Sequence, residues 1–434
     1  MEVHAAELAE GLVRQGHKVD VSRIRVEEAF SGCSVATEER AGVHLHVLRV
    51  ARGLWWPQDG SGIVPSREEV WRALWQILKA GKPDVVHFHP LHADDIAVFV
   101  ERTAQDFPVV TTYHAPVLSC TRGDLLRFGG KVCDGRILRG RCAACVLQQK
   151  GLPLPIANVI GRLPLASLRA ARHLPGVQRV PRASAMFSWP QRVVENRETL
   201  SRILAASRTV IAVCDWVRDL LKRNGLPSAK VRVVRYGRRL DPIKAAFEPG
   251  PVTRFGYLGR LNFLKGVGTL LEAIGRTSRE ARFTVEFVSP AFEDAPAGSD
   301  DACLAERIQK LALRDPRIIT GGALAPRQVG EKLVQWDALF VPSWWMETGP
   351  QVVTEAFHAN TPVIASRRGG MEELIVEGRS GFFVPPRDPD ALAAMLCLFA
   401  AEPERLRALR GLIPPARTAD EMVSDVLSIY RCCA

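Results

Sequence analysis

Two hydrophobic rhythms alternate along the chain. Apolar residues spaced three and four apart mark helices, and short apolar runs or every-second-residue alternation mark strands. The opening stretch, EVHAAELAEGLVRQG, sets Val3, Ala6, Leu8, Leu12 and Val13 on a helix that Gly16 stops. Strands VDVSRI and VHLHVLRV follow, then a helix over 68–80, the strand DVVHFH and the strand VVTTYH, which ends at His114. A helix over 195–207 and the strands TVIAVC and KVRVVRYG close the first half. After a linker at 242–251 the alternation restarts with TRFGYLGR, the helix VGTLLEAI, FTVEFV, a solvated acidic loop at 293–301 and a helix at 306–313. RIIT, a helix at 328–334, ALFVPS, TPVIAS and FFVPP come next, with helices at 389–401 and 422–430 at the end. Strands alternating with helices predict parallel, doubly wound sheets. An α/β domain normally opens on a strand and a tight glycine turn, so the first strand is expected to be missing ahead of the helix that starts at Glu2.

Composition sharpens this. A chain of 434 residues suits two domains rather than one core, each of about 200 residues. No run reaches the roughly 18 apolar residues that span a bilayer, and no charged-then-apolar leader opens the chain, so a cytosolic protein is expected. Ten cysteines are too few for a disulfide scaffold in a chain of this length. The net charge of +11 sits in one segment, because 122–208 holds sixteen Lys/Arg against Asp124, Asp134, Glu195 and Glu198, which is +12. That excess fits an anionic partner (acidic glycan, phospholipid headgroup or pyrophosphate carrier), or else an ordinary basic surface. Within it, LPLASLRAARH puts Leu165, Leu168 and Ala171 on one helical strip edged by Arg169 and Arg172. Such a helix either lies on a membrane or packs on its own domain.

Candidate chemistry gathers at 341–355, VPSWWMETGPQVVTE, which reads as strand, turn and helix start with Glu347 in the turn and Glu355 on the helix. Pro350 is expected at the first helical position, where its missing N–H costs nothing. Carboxylates beside exposed helix amides could hold a ligand's hydroxyls, or could be solvated acids placed for the dipole. Arg260 and Lys265 flank a second turn leading into a helix and could grip a diphosphate, or could be solvated cations. Gly369 and Gly370 let backbone approach a ligand at a third helix start. His87, His89 and His114 fall at carboxyl ends of strands, where ligands of such sheets collect, with His114 preferred as a site residue and His87 as a core histidine. Cys120, Cys133, Cys142 and Cys145 admit a structural zinc; unpaired thiols in a loop are the other reading, and only Cys142 and Cys145 have knuckle spacing.

In their joint order, GRLNFLKG, ETGPQVVTEAF, TPVIASRRGGMEELI, GFFVPPRDPDAL and the front helix HAAELAEGLVRQGHKVDV resemble the retaining GT-B-fold glycosyltransferases of the family-4 type, group 1, across nearly the whole chain. The resemblance implies two Rossmann-like domains facing a cleft: an acceptor-side domain at 1–241, a linker at 242–252 and a donor domain at 253–416, with the last helix, 417–434, crossing back onto the first. It implies that Arg260 and Lys265 grip the donor diphosphate, that Glu355 holds the ribose, and that Glu347 contacts the donor sugar. Backbone between Thr348 and Val352, through Gly349, Pro350 and Gln351, would touch phosphate or sugar, and His114 would stand near the reacting sugar. Expected partners are a nucleotide-sugar donor, a glycan or lipid-linked acceptor of polysaccharide biosynthesis, and an anionic inner-membrane face, with no nucleic acid. No cofactor and no catalytic metal are expected. The chain departs from the pattern at the missing strand, at Ser289-Pro290 in place of a glycine, and at Tyr236-Gly237-Arg238 in place of asparagine-glycine. The first departure motivates an alternative, a nucleotide-sugar-binding protein impaired in catalysis. A dinucleotide-dependent dehydrogenase fits poorly, since no strand runs into a full G-x-G-x-x-G turn.

Overall fold

The computed structural model describes residues 2–27, 30, 32–51, 67–89, 96–174 and 181–433. In the N-terminal half, β1 (Asp20–Glu27), β2 (Cys33–Arg40) and β3 (Val43–Ala51) make one sheet, with β1 parallel and β2 antiparallel to β3. The sequence reading missed β2, because CSVATEER is exposed along almost its whole length and carries no buried alternate face to betray it. After β4 (Val86–Phe88), β5 (Val109–Tyr113) and a small hairpin of β6 (Leu126–Arg127) and β7 (Lys131–Val132) come β8 (Thr209–Ala212) and β9 (Val231–Val233). β4, β5, β8 and β9 lie side by side in that order, all parallel. The two N-terminal sheets share an apolar cluster in which Ile24 of β1 and Phe88 of β4 meet Leu48, Val70 and Trp71.

The C-terminal half is one six-stranded parallel sheet built from β10 (Thr253–Leu258), β11 (Phe283–Val288), β12 (Ile318–Gly321), β13 (Ala338–Val341), β14 (Val363–Ser366) and β15 (Gly381–Val384). Its order is β12-β11-β10-β13-β14-β15, so chain direction across the sheet reverses between β10 and β13. That reversal opens a crevice at the carboxyl ends of those two strands, the place where doubly wound sheets take their ligands. Phe255, Phe283, Phe287 and Phe340 fill the core on one side of the sheet, and Trp336, Leu339 and Val353 fill it on the other.

The last helix, Ala419–Cys433, packs on the N-terminal half, where Met422, Val423 and Val426 share a cluster with Leu8, Leu12, Val110 and Ile211. The two passages of chain between the halves run together, since Arg238 N donates to Arg417 O at 3.1 Å and Ala419 N to Arg238 O at 3.1 Å. Gly237 makes this approach possible, because a Cβ there would stand 2.0 Å from the Thr418 carbonyl oxygen.

Several element boundaries differ from expectation for identifiable reasons. The segment with Cys142 and Cys145 is the helix Arg139–Gln149, not a loop; it buries Ala143, Ala144, Val146 and Leu147. The helix expected over 195–207 starts at Pro181 and carries Pro190 inside it. The one expected at 306–313 starts at Asp300, because Ser299 caps it by accepting from Ala302 N at 3.2 Å, so the end of the acidic loop is a helix's first turn. The basic helix Leu165–Arg172 buries Leu168, and Arg169 donates to Gln191 of the neighbouring helix at 2.9 Å, which is packing on its own domain. Among the described residues no helix is long and apolar enough to cross a membrane.

Candidate active site

Both turns at the crevice are shaped by close backbone contacts. After β10, Asn262 accepts from Leu264 N at 2.7 Å and Gly266 takes φ +75°. A Cβ on Gly266 would lie 1.8 Å from the Pro342 carbonyl oxygen, so the turn after β10 sits directly on the turn after β13. This contact brings Lys265 to Glu347. The Lys265 Nζ is 2.7 Å from Glu347 Oε1, which also accepts from Ser343 Oγ at 2.8 Å and from Trp345 Nε1 at 2.7 Å. Glu347 is buried and Oε2 has no hydrogen-bond partner among the described residues, so one carboxylate oxygen is locked and the other is available to a ligand hydroxyl. The carbonyl of Glu347 accepts from Gly370 N at 2.7 Å and from Trp216 Nε1 of the N-terminal half at 2.8 Å.

Arg260 does not join this pair. Its side chain is exposed and has no hydrogen-bond or ion-pair partner among the described residues. Thr348 and Gly349, with Tyr236, line a cavity of about 10 Å³ between the halves, room for about one water. Pro350 is the cap rather than the first helical residue, and the helix runs Gln351–His358, one residue later than expected. Gln351 Oε1 accepts from Arg238 at 2.6 Å, and Val352 is half-buried.

Glu355 meets Arg238 at 3.2 Å, and Arg238 reaches Glu7 of the first helix at 3.1 Å. Burial pushes the carboxyls of Glu355 and Glu7 above their usual range, and the guanidinium between them opposes that rise. Arg238 was visible in the sequence only as a departure from a motif; its role as a tie between the first helix and the helix Gln351–His358 is tertiary. Glu373 escaped notice in the same way. It accepts from Asp215 N at 2.8 Å and Trp216 N at 3.0 Å, and pairs with Arg235 at 2.8 Å, so a carboxylate of the C-terminal half sits on a helix N-terminus of the other half.

His114 is buried at the end of β5, with Nδ1 2.9 Å from the Tyr236 hydroxyl and Nε2 2.9 Å from His89 Nδ1. Burial holds its imidazole well below the usual histidine range. His87 is a satisfied core histidine, 2.6 Å from both Tyr430 Oη and Thr112 Oγ1. The structure does not gather Cys120, Cys133, Cys142 and Cys145 into a ligand set, since among the described residues no three of their sulfurs lie within 4.8 Å of one another. Instead Cys142 Sγ turns to the Arg136 carbonyl at 3.8 Å, Cys145 Sγ to that of Leu126 at 3.9 Å, and Cys133 Sγ to Asp134 at 3.7 Å.

Comparison with known proteins agrees with this architecture. Residues 1–147 match the Glycosyltransferase Family 4 description, and residues 243–410 match Glycosyl transferases group 1. D-inositol 3-phosphate glycosyltransferase of Streptomyces scabiei is 30% identical over 221 residues, 46% of this chain and 48% of that protein, so the chain spans about half the length of the curated relatives it matches. Sucrose-phosphate synthase of Thermosynechococcus elongatus superposes with a TM-score of 0.63 at 17% identity, covering 99% of this chain and 92% of the other. HepE of Anabaena, solved with UDP and glucose, gives 0.51 at 16% identity, covering 90% and 87%. With both halves matched in order and one fold shared end to end, the chain belongs to the GT-B-fold glycosyltransferases of group 1.

Proposed function

We propose that the protein transfers a sugar from a nucleotide diphosphate sugar to a glycan or lipid-linked acceptor, with retention of anomeric configuration. The observation that carries this reading is the Lys265–Glu347 pair at the β10/β13 crevice, with a second cation, Arg260, exposed on the same turn. As the bond from the anomeric carbon to the diphosphate oxygen breaks, Lys265 and Arg260 take up the charge of the departing diphosphate, the role of preorganised dipoles and cations in such steps. The acceptor oxygen bonds that carbon from the same face, and its proton passes to the departing phosphate oxygen. Glu347 Oε2 accepts from donor-sugar hydroxyls, Glu355 accepts from the ribose, and the amides of Thr348, Gly349, Gln351 and Val352 face the phosphate or sugar. His114, kept neutral by burial, stands near the sugar as an uncharged ring rather than as a cationic acid. No metal or other cofactor takes part in this scheme.

The fold neighbour solved with UDP and glucose makes a uridine donor the first to try. A mass-spectrometric screen of nucleotide sugars against glycan and polyprenyl-linked acceptors tests the reading. Transfer that disappears with Lys265→Ala supports it, and donor binding with neither transfer nor hydrolysis favours a binding protein instead.

For the acceptor side, we place a cytoplasmic protein against an anionic membrane face. The support is the helix Leu154–Arg162, which exposes Ile156 and Val159 in the segment that holds the basic excess. Co-sedimentation with phosphatidylglycerol vesicles should fall with Ile156→Ser/Val159→Ser. Unchanged binding would remove this contact.

A further inference from the structure

His4, His89 and His114 each offer a ring nitrogen within 4.8 Å of the other two. Their rings pack edge-on or stacked, with centroids 5.1 Å apart for His4 and His114 and 5.2 Å for His89 and His114. His4 comes from the first helix, His89 from the end of β4 and His114 from the end of β5, so only the fold brings them together. Hydrogen bonding does not satisfy all three. His89 Nδ1 and His114 Nε2 stand 2.9 Å apart and can share one proton, but His4 Nδ1 is buried with no partner among the described residues. His87, beside them, has partners on both nitrogens and is excluded from the set.

We infer that His4, His89 and His114 form a three-imidazole site for a zinc ion, with the fourth position left to water. No carboxylate or thiol joins the group among the described residues, and an all-nitrogen set selects zinc and its late first-row neighbours over magnesium or calcium. An ion at the usual zinc–nitrogen distance from His89 Nδ1 and His114 Nε2 needs that pair to open by about half an ångström for a tetrahedral angle. The outer contact fits as well. Tyr236 Oη lies on His114 Nδ1, the ring nitrogen that a zinc on Nε2 leaves free to donate, and such a partner fixes tautomer and ring orientation. Zinc here ties the first helix to the strand ends and stands apart from the cations that face the diphosphate. The inference concerns metal binding itself and holds whether or not the chain transfers sugar.

The test uses the full-length, tag-free chain carrying Cys142→Ser and Cys145→Ser, stripped with a chelator and titrated with Zn²⁺ against a chromophoric competitor. One ion per chain is expected, weakened by more than about 100-fold in His4→Ala or His89→Gln and by about tenfold in Tyr236→Phe. Cobalt loading should give the visible bands of a tetrahedral nitrogen site without a sulfur-to-metal charge-transfer band. Zinc should raise the melting temperature of the parent and not of His89→Gln, which serves as the second variant if His4→Ala does not fold. Failure to bind an ion, binding indifferent to His4 and His89, or a sulfur charge-transfer band would each overturn the assignment.

Discussion

The turn that carries Glu347 and the pocket that holds His114 face each other across Tyr236, yet they are built on opposite electrostatic plans. In the C-terminal half a cation and a carboxylate are paired and fixed by Ser343 and Trp345, so the charged groups are held in set directions. In the N-terminal half burial strips charge away, and the imidazoles of His4, His87, His89 and His114 are all pushed toward neutrality. A paired charge handles a charged leaving group; uncharged nitrogens suit an incoming metal or hydroxyl. If this contrast is right, the two regions should respond differently to the same kinds of perturbation.

The largest effect should come from Glu347→Ala, which leaves Lys265 without its buried partner. Transfer rate should fall by about 100- to 1000-fold, the range seen when one transition-state contact is removed, while zinc affinity stays unchanged. Initial rates and a zinc titration on the same preparation check both parts. Next comes Gly266→Ala, where positive φ and the Pro342 carbonyl leave no room for a methyl group. A loss of about 3 kcal/mol in denaturant unfolding is expected, and a neutral result would show that the two turns are not in contact.

Arg238→Ala should cost about 2 kcal/mol at neutral pH by leaving the half-buried Glu7 and Glu355 unbalanced. Both carboxyls already sit above their usual range, so the variant's deficit should shrink as pH falls and they take up protons. Chemical denaturation at several pH values would show whether it does. The histidine cluster is tested by pH in the metal-free protein rather than by substitution. Folded-state values depressed to about 3 for His4 and about 4 for His89 mean that, below pH 6.5, the unfolded chain binds protons that the folded chain refuses. Stability is therefore full above pH 6.5 and drains by about 1.4 kcal/mol per pH unit for each such imidazole as pH falls toward those values. A flat profile between pH 6.5 and 4.5 would break the contrast between the two regions.

The same two regions divide what could be read in advance. The turn that carries Glu347 was legible because its chemistry is local: glycine, proline and acids within one strand–turn–helix stretch declare the turn, and Pro350 was misplaced by a single residue. The central parallel strands β13 and β14 were equally plain, since each is an apolar run buried on both faces. His4 and Tyr236 carry no such local mark, and their meeting with His89 and His114 depends on how the first helix seats on the strand ends. Arg260 shows the converse. Its motif announced it beside Lys265, while the backbone leaves its side chain in solvent.

Because the passages at 236–241 and 414–419 are hydrogen-bonded to each other, the halves are joined by a single ribbon rather than by two separate tethers. Rotation about that ribbon is the cheap motion, and sliding one half over the other would tear it. Labels placed across the mouth, for instance at exposed positions near Arg127 and Arg387, should therefore swing apart on opening while a pair spanning Arg239 and Arg417 keeps its distance.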